Sequence, residues 1–153
     1  MISMKATFAA GCFWHVEDLF RKVKGVSSAT SGYTGGAMPN PSYQDVCTDR
    51  TGHAEAVQVE YDPEQVSYDE LLKVFWENHN PTTLNRQGPD VGTQYRSAIF
   101  FHDAEQEKAA KESMKNLQDS MRDKKVVTEI TPAKEFFKAE EYHQRYFEKQ
   151  GLI

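Results

Sequence analysis

The chain is poor in cysteine, carries no excess of positive charge and has no long apolar run. Among its 153 residues there are two cysteines, Cys12 and Cys47. One possible pair is too few for a disulfide scaffold, and without a Cys-x-x-Cys there is no zinc-binding cysteine motif. The formal net charge of −5 lacks the surplus of Lys and Arg that phosphate neutralisation requires, which excludes a nucleic-acid binder. No segment approaches the roughly 18 consecutive apolar residues of a membrane helix, and the first residues lack the apolar stretch of a signal peptide. The expected compartment is therefore a reducing cytoplasm, where both cysteines rest as thiols. What is present is 39% hydrophobic and 12% aromatic residues, enough for a packed core rather than a disordered chain. No linker, repeat or low-complexity run interrupts it, so residues 1–153 are expected to form a single domain.

Hydrophobic spacing predicts the elements. Residues 5–10 are short, apolar and closed by Gly11, which reads as a buried strand. Over 13–23, Val16, Leu19, Phe20 and Val23 recur at spacings of three and four, which predicts a helix ending near Gly25. Residues 26–33 read as a strand. Residues 34–52 show no period and are expected to form a long functional loop. Strict alternation over 54–61 predicts a strand with one apolar face. Ser67 and Glu70 form a capping box for a helix through Leu71, Leu72, Phe75 and Trp76, stopping before Asn80-Pro81. Residues 82–94 read as irregular, 95–101 as a strand, 104 to about 122 as a helix and 126–130 as a strand. From 139 onward the chain reads as helical or irregular. The order predicts an α+β fold: a ferredoxin-like split βαβ two-layer sandwich with an added helix, strand and irregular C-terminal segment.

Cys12 falls where the first strand hands over to the first helix. A thiol at a helix N-terminus feels the positive end of the dipole and nearby N–H groups, which favour the thiolate. Gly11 permits the tight turn and leaves the sulfur uncrowded. This placement makes Cys12 a candidate nucleophile, against the alternative of a small buried hydrophobe.

Gly11-Cys12-Phe13-Trp14 resembles the signature of the type A peptide methionine sulfoxide reductases. Further blocks follow in the family's order. They are Gly32-Tyr33-Thr34-Gly35-Gly36, then Pro39-Asn40-Pro41-x-Tyr43-x-x-Val46-Cys47, then Thr51-Gly52-His53-Ala54-Glu55-Ala56-Val57. Next come Phe75-Trp76-x-x-His79-x-Pro81-Thr82, Asp90-x-Gly92-Thr93-Gln94-Tyr95-Arg96-Ser97 and Ala139-Glu140-x-Tyr142-His143-Gln144-x-Tyr146. The likeness runs from about residue 8 to residue 146.

The resemblance implies an enzyme that reduces methionine S-sulfoxide, in proteins and free, to methionine. It implies Cys12 as the attacking thiolate, Glu55 as the acid that protonates or polarises the sulfoxide oxygen, and Tyr43 and Tyr95 as hydroxyl partners of that oxygen. Phe13 and Trp14 would form the substrate's methyl socket, and Asp90 would bind substrate or support the site. The residues agree with these roles. Glu55 shares the apolar strand face of Val57 and Val59, where an unpartnered carboxylate is rare, and burial there would raise its pKa. Phenols can donate to a developing oxyanion. Outside the resemblance, Tyr43 and Tyr95 read as packed rings with satisfied hydroxyls, and Phe13 and Trp14 as core aromatics.

Other polar residues carry blander expectations. His53 reads as a structural or loop anchor, Glu17 as part of a solvated helix face, and His79 and His143 lack the spacing of a metal site, so no metal is expected. The chain departs from the family pattern in two places. His15 stands where Gly usually follows Phe-Trp, and its ring is expected to face solvent. The C-terminal sequence 149–153 carries no cysteine, which leaves Cys47 as the one possible resolving thiol. The expectation is a one-cysteine catalyst without bound cofactor, reset by thioredoxin or by glutathione with glutaredoxin, and monomeric. A thiol peroxidase, a cysteine hydrolase using His53 or His143, and a non-catalytic binding module are the competing readings.

Overall fold

The computed structural model describes residues 3–121 and 123–149. Strand β1 (Met4–Ala10) runs into helix α1 (Phe13–Arg21), which is followed by β2 (Val26–Thr34). A short helix α2 (Tyr43–Cys47) precedes β3 (Ala54–Tyr61) and helix α3 (Tyr68–Glu77). A two-residue hairpin, β4 (Arg86–Gln87) and β5 (Asp90–Val91), leads through a 3-10 turn at Thr93–Tyr95 into β6 (Ser97–Phe101). Helix α4 (Ala104–Ser120), β7 (Glu129–Pro132), β8 (Phe137–Lys138) and helix α5 (Tyr146–Lys149) complete the chain.

Six strands form one sheet in the order β7-β6-β1-β3-β2-β8. β3 pairs antiparallel with both β1 and β2, so the strand–helix–strand unit β1-α1-β2 is split by β3. Among the described residues only β6 and β7 pair in parallel. Ala6 and Phe8 of β1, Val57 and Val59 of β3 and Ile99 of β6 share one face, in register through Phe8 with Val57 and Ile99. Helices α1 and α3 bury Phe13, Val16, Phe20, Leu71, Leu72 and Phe75 in the same cluster. Phe8 stacks on Phe20 with ring centroids 4.9 Å apart and meets Phe75 at 5.3 Å, which ties the first strand to both helices. On the opposite face Ala9, Ala54, Ala56, Ala98 and Phe100 make a second cluster against Ala133 and Phe136.

The α+β class and the central, mostly antiparallel sheet match the sequence reading, and several boundaries differ for physical reasons. The expected loop over 34–52 contains α2, because Ser42 and Asp45 cap it reciprocally. Residues 82–94 are not wholly irregular: Arg86–Gln87 pairs with Asp90–Val91. Tyr95 closes the 3-10 turn, with its N–H donating to the Gly92 carbonyl, so the strand starts two residues later than expected. The last strand begins at Glu129 rather than 126, because Val126 and Val127 donate to Gln118 and to the Pro81 carbonyl instead of a ladder. Helix α3 carries the expected Ser67–Glu70 capping box. The expected end of the fourth helix near Arg122 and the sequence after Lys149 lie outside the described residues. Among the described residues no helix is long and apolar enough to cross a membrane.

Glu17 overturns its expected solvated position. It is 1% exposed, accepts from the Ser31 hydroxyl at 2.9 Å, and accepts the Arg145 N–H on both oxygens at 2.8 Å. Arg145 sits in the left-handed region at φ 52°, where a firm hold on its amide is needed. Gln144 adds a two-way bond to the Ser31 backbone. Together they strap the C-terminal segment across α1 and β2. Glu17→Ala would leave the Arg145 amide and Ser31 hydroxyl unpaired, at a cost of roughly 2–4 kcal/mol. The expected result is a lower urea midpoint together with faster amide hydrogen exchange over residues 139–149.

Candidate active site

The handover from β1 to α1 places the thiol. Gly11 takes φ +92°, and a Cβ there would lie 2.9 Å from the Gln87 side chain, so only glycine fits this turn. Cys12 is the N-cap of α1, with φ −60° and ψ 122°. The Trp14 and His15 N–H groups face its sulfur and favour the thiolate, as the sequence position suggests. Burial outweighs them. Desolvation, helped by the negative charges of Glu55 and Asp90, pushes the thiol up to about 11. The resting side chain is therefore a protonated thiol, contrary to the lowering expected from the helix end alone. The His15 side chain is exposed.

Glu55 comes to the same point from β3. Its Oε1 accepts the Phe13 N–H at 3.4 Å, and its Oε2 accepts from Gln94 Nε2 at 3.1 Å. It is 1% exposed. Burial raises its carboxyl to about 7; the Gln94 and Phe13 donors oppose the rise and the Asp90 charge adds to it. Tyr43, on α2, and Tyr95, on the 3-10 turn, hydrogen-bond through their side chains, and both phenols are pushed up chiefly by burial and by nearby negative charge, Glu55 included. Asp90 is half-buried on β5, and its charge reaches Cys12, Glu55 and Tyr95. Five elements thus converge the thiol, a proton-holding carboxyl, two hydroxyls and a carboxylate.

The aromatic pair beside the thiol divides its work. Phe13 is buried against Tyr33 and His143. Trp14 is half-buried, stacks on Tyr146 at 3.7 Å and 7°, and donates its Nε1–H to His143 Nδ1 at 3.0 Å. Glu140 accepts from the Tyr33 hydroxyl at 2.8 Å and the Tyr43 N–H at 2.9 Å. The C-terminal segment is therefore the wall that orients both Trp14 and Tyr43. Cys47 is exposed on α2 and lies beside the Tyr43 hydroxyl and 3.5 Å from Gln94 Nε2.

All eight residues singled out from sequence gather here. Sequence reasoning assigned no role to Gln94, Glu140 or Tyr146 and weighed His143 only as a metal ligand or a hydrolase base, although each stands in a motif block. A buried Glu55 demands a donor, but nothing in the spacing identifies Gln94 as that donor. His53 is an anchor as expected: its Nδ1 accepts the Gly36 N–H at 3.1 Å and its Nε2 pairs with the Met38 carbonyl at 2.7 Å. His79 is held by the Phe75 carbonyl and the Ser97 hydroxyl, and burial lowers it to about 4. No group of three or more His, Cys, Asp or Glu side chains able to hold a metal ion occurs among the described residues.

The arrangement suits attack by sulfur on an electrophile whose oxygen must be protonated. Comparisons agree with that chemistry. A family model described as peptide methionine sulfoxide reductase matches residues 4–152. The chain is 62% identical over 146 residues to a peptide methionine sulfoxide reductase of Methanothermobacter thermautotrophicus, covering 95% of this chain and 86% of that one. Its fold is similar to methionine sulfoxide reductase A of Corynebacterium diphtheriae, with TM-score 0.94 and 39% identity over 99% of this chain and 76% of that chain. It also resembles Mxr1 of Saccharomyces cerevisiae in complex with Trx2, with TM-score 0.67 and 28% identity over 94% of this chain and 84% of that chain. The chain belongs to the peptide methionine sulfoxide reductase family.

Proposed function

We propose that the chain, as a single catalytic domain and a monomer, reduces methionine S-sulfoxide in oxidised proteins and in free form to methionine. The observation that carries this reading is the carboxyl of Glu55, buried beside the Cys12 turn and able to hold a proton near pH 7. A sulfoxide oxygen leaves only if it is protonated, and a carboxyl of that affinity is suited to deliver the proton.

Cys12 and Glu55 share one problem. The Glu55 charge raises the thiol, so a thiolate at Cys12 is easiest when Glu55 is neutral. Attack by the Cys12 sulfur on the sulfoxide sulfur is accompanied by proton transfer from Glu55 to the oxygen. The attack forms an S–S bond between Cys12 and the substrate; the protonated oxygen then shifts to Cys12 as the substrate S–O bond and that S–S bond break, and the proton lost by the Cys12 thiol restores the acid form of Glu55. Methionine leaves, reduced by two electrons, and Cys12 becomes a sulfenic acid, oxidised by two. Tyr43 and Tyr95 keep their phenolic protons because burial disfavours phenolate, so they donate to the oxygen as charge develops. Trp14, held in place by His143 and Tyr146, presents the apolar wall for the substrate methyl over the buried Phe13, and Asp90 binds the substrate from the β4–β5 hairpin. A socket fixed on one side of the thiol accepts one sulfoxide epimer.

Cys12 works as a one-cysteine catalyst without a bound cofactor. Its sulfenic acid is reduced by an external thiol in a reducing, cytoplasmic compartment. The Mxr1–Trx2 complex supports a thioredoxin in that role, and glutathione with glutaredoxin is the alternative reductant.

The test is turnover on each epimer of a methionine sulfoxide peptide with dithiothreitol, thioredoxin or glutaredoxin. Activity is expected on the S epimer alone, and Cys12→Ser is expected to abolish it; turnover of the R epimer overturns the reading.

The pH dependence follows from the Glu55 carboxyl. Its folded value of about 7 lies above the ordinary 4.5. The acid form is therefore lost as pH rises through 7, while the Cys12 thiolate, drawn from a thiol held at about 11, grows about tenfold per pH unit, so single-turnover rates should rise with pH up to 7 and level off above it. Glu55→Gln should remove that break and lower the rate by about 10²–10⁴-fold. Because the folded state binds the proton more tightly than the unfolded state, Glu55 lowers stability progressively between pH 4.5 and 7. The same substitution should therefore raise the urea midpoint above pH 7 while it removes activity.

A further inference from the structure

Gln94 is 4% exposed on a 3-10 turn that is fastened on both sides. Thr93 donates its N–H to Asp49 Oδ1 at 2.8 Å. Arg96 donates to the Thr93 and Gly52 carbonyls at 2.9 Å each and pairs with Glu129 at 3.2 Å. The turn is thus tied to the segment that follows α2, to β7 and to the residue pair ahead of β3. From it the Gln94 side chain reaches inward. Its amide nitrogen lies 3.1 Å from Glu55 Oε2 and 3.5 Å from Cys47 Sγ. A primary amide carries two N–H donors, so one serves each partner. The sulfur contact keeps the amide plane from rotating away from Glu55.

The groups facing Glu55 are few. Cys12 and the Phe13 N–H come from the β1–α1 turn, Tyr33 from β2, Tyr43 from α2, Asp90 from β5, and Tyr95 and Gln94 from the 3-10 turn. Cys12 and the phenols hold their protons, and Asp90 is repulsive. The Phe13 N–H is distant at 3.4 Å. Gln94 is the closest donor to the carboxylate form. A donor of this kind stabilises the ionised carboxyl and fixes its rotamer. Proton donation demands that balance, since an acid whose affinity runs far above the working pH surrenders its proton poorly.

We propose that Gln94 is a positioning residue that aims the Glu55 carboxyl at the Cys12 turn and restrains its proton affinity through a hydrogen bond braced by the Cys47 sulfur. The proposal rests on the reading of Glu55 as the acid, and its test separates the two. Carboxyl ¹³C NMR titration of Glu55 in the full chain reads the proton affinity without reference to activity. The pH profile of single-turnover methionine release reads its use.

In Gln94→Leu, which keeps the volume and removes the donors, the Glu55 midpoint is expected to rise by about one pH unit, with the break in the rate profile following it. Gln94→Asn, one methylene short of the carboxyl, is expected to move the midpoint in the same direction by less, and it serves if Gln94→Leu does not fold. A folded variant with an unmoved Glu55 midpoint overturns the proposal. A raised midpoint with an unmoved rate profile upholds the role of Gln94 and removes Glu55 as the acid.

Discussion

The site depends on a carboxyl group taken out of water and still kept within reach of its proton. Glu55 lies on a sheet face otherwise built from Val57 and Val59, under a helix whose first N–H it accepts. Burial alone would neutralise it well above pH 7. Two donors draw it back to about 7, where a group can both hold and release a proton. The other features of the site answer to this placement. A neutral Glu55 removes one of the charges that raise the Cys12 thiol, the phenols stay protonated because they share its dry surroundings, and the glycine turn brings the sulfur to the end of the helix that supplies the Glu55 donor.

A second constraint is closure by the C-terminal segment. Residues 139–149 cross α1 and β2 and are held by Glu17 and Glu140, which accept from backbone and hydroxyl donors, and by Gln144, which both donates to and accepts from the Ser31 backbone. Through His143 this strap fixes the indole of Trp14, and through Glu140 it fixes the first residue of α2. The candidate catalytic residues lie near the junctions of β1, α2, β3 and the 3-10 turn. The aromatic wall is completed by a segment that is last in sequence.

Local chemistry was legible before any coordinates. Gly11-Cys12 at a strand–helix junction, the Ser67–Glu70 cap and the period-two strand carrying Glu55 each declare themselves within ten residues, because their causes are local sterics and hydrogen bonds. Helix α2 was hidden because five residues are too few for a period, and its capping partner is Asp45 rather than the usual Glu. Glu17 was misread because helical spacing places it beside the apolar stripe, while its partners Ser31 and Arg145 stand 14 and 128 positions away. The Trp14–His143 bond spans 129 positions. Such pairings are decided by tertiary packing and leave no local trace. The thiol's proton affinity was misjudged for a related reason: the helix end is visible in sequence, whereas the desolvation that outweighs it comes from several distant elements.

The measurement that tests the central claim most directly is a single turnover of methionine S-sulfoxide without reductant, with methionine release quantified and sulfenic acid trapped by dimedone for mass spectrometry. The expected result is one methionine per chain and an adduct on Cys12, with the adduct still on Cys12 in Cys47→Ser and a strongly slowed burst in Glu55→Gln. An adduct on Cys47, or a burst that Glu55→Gln leaves undiminished, would contradict the proposed partnership of Cys12 and Glu55.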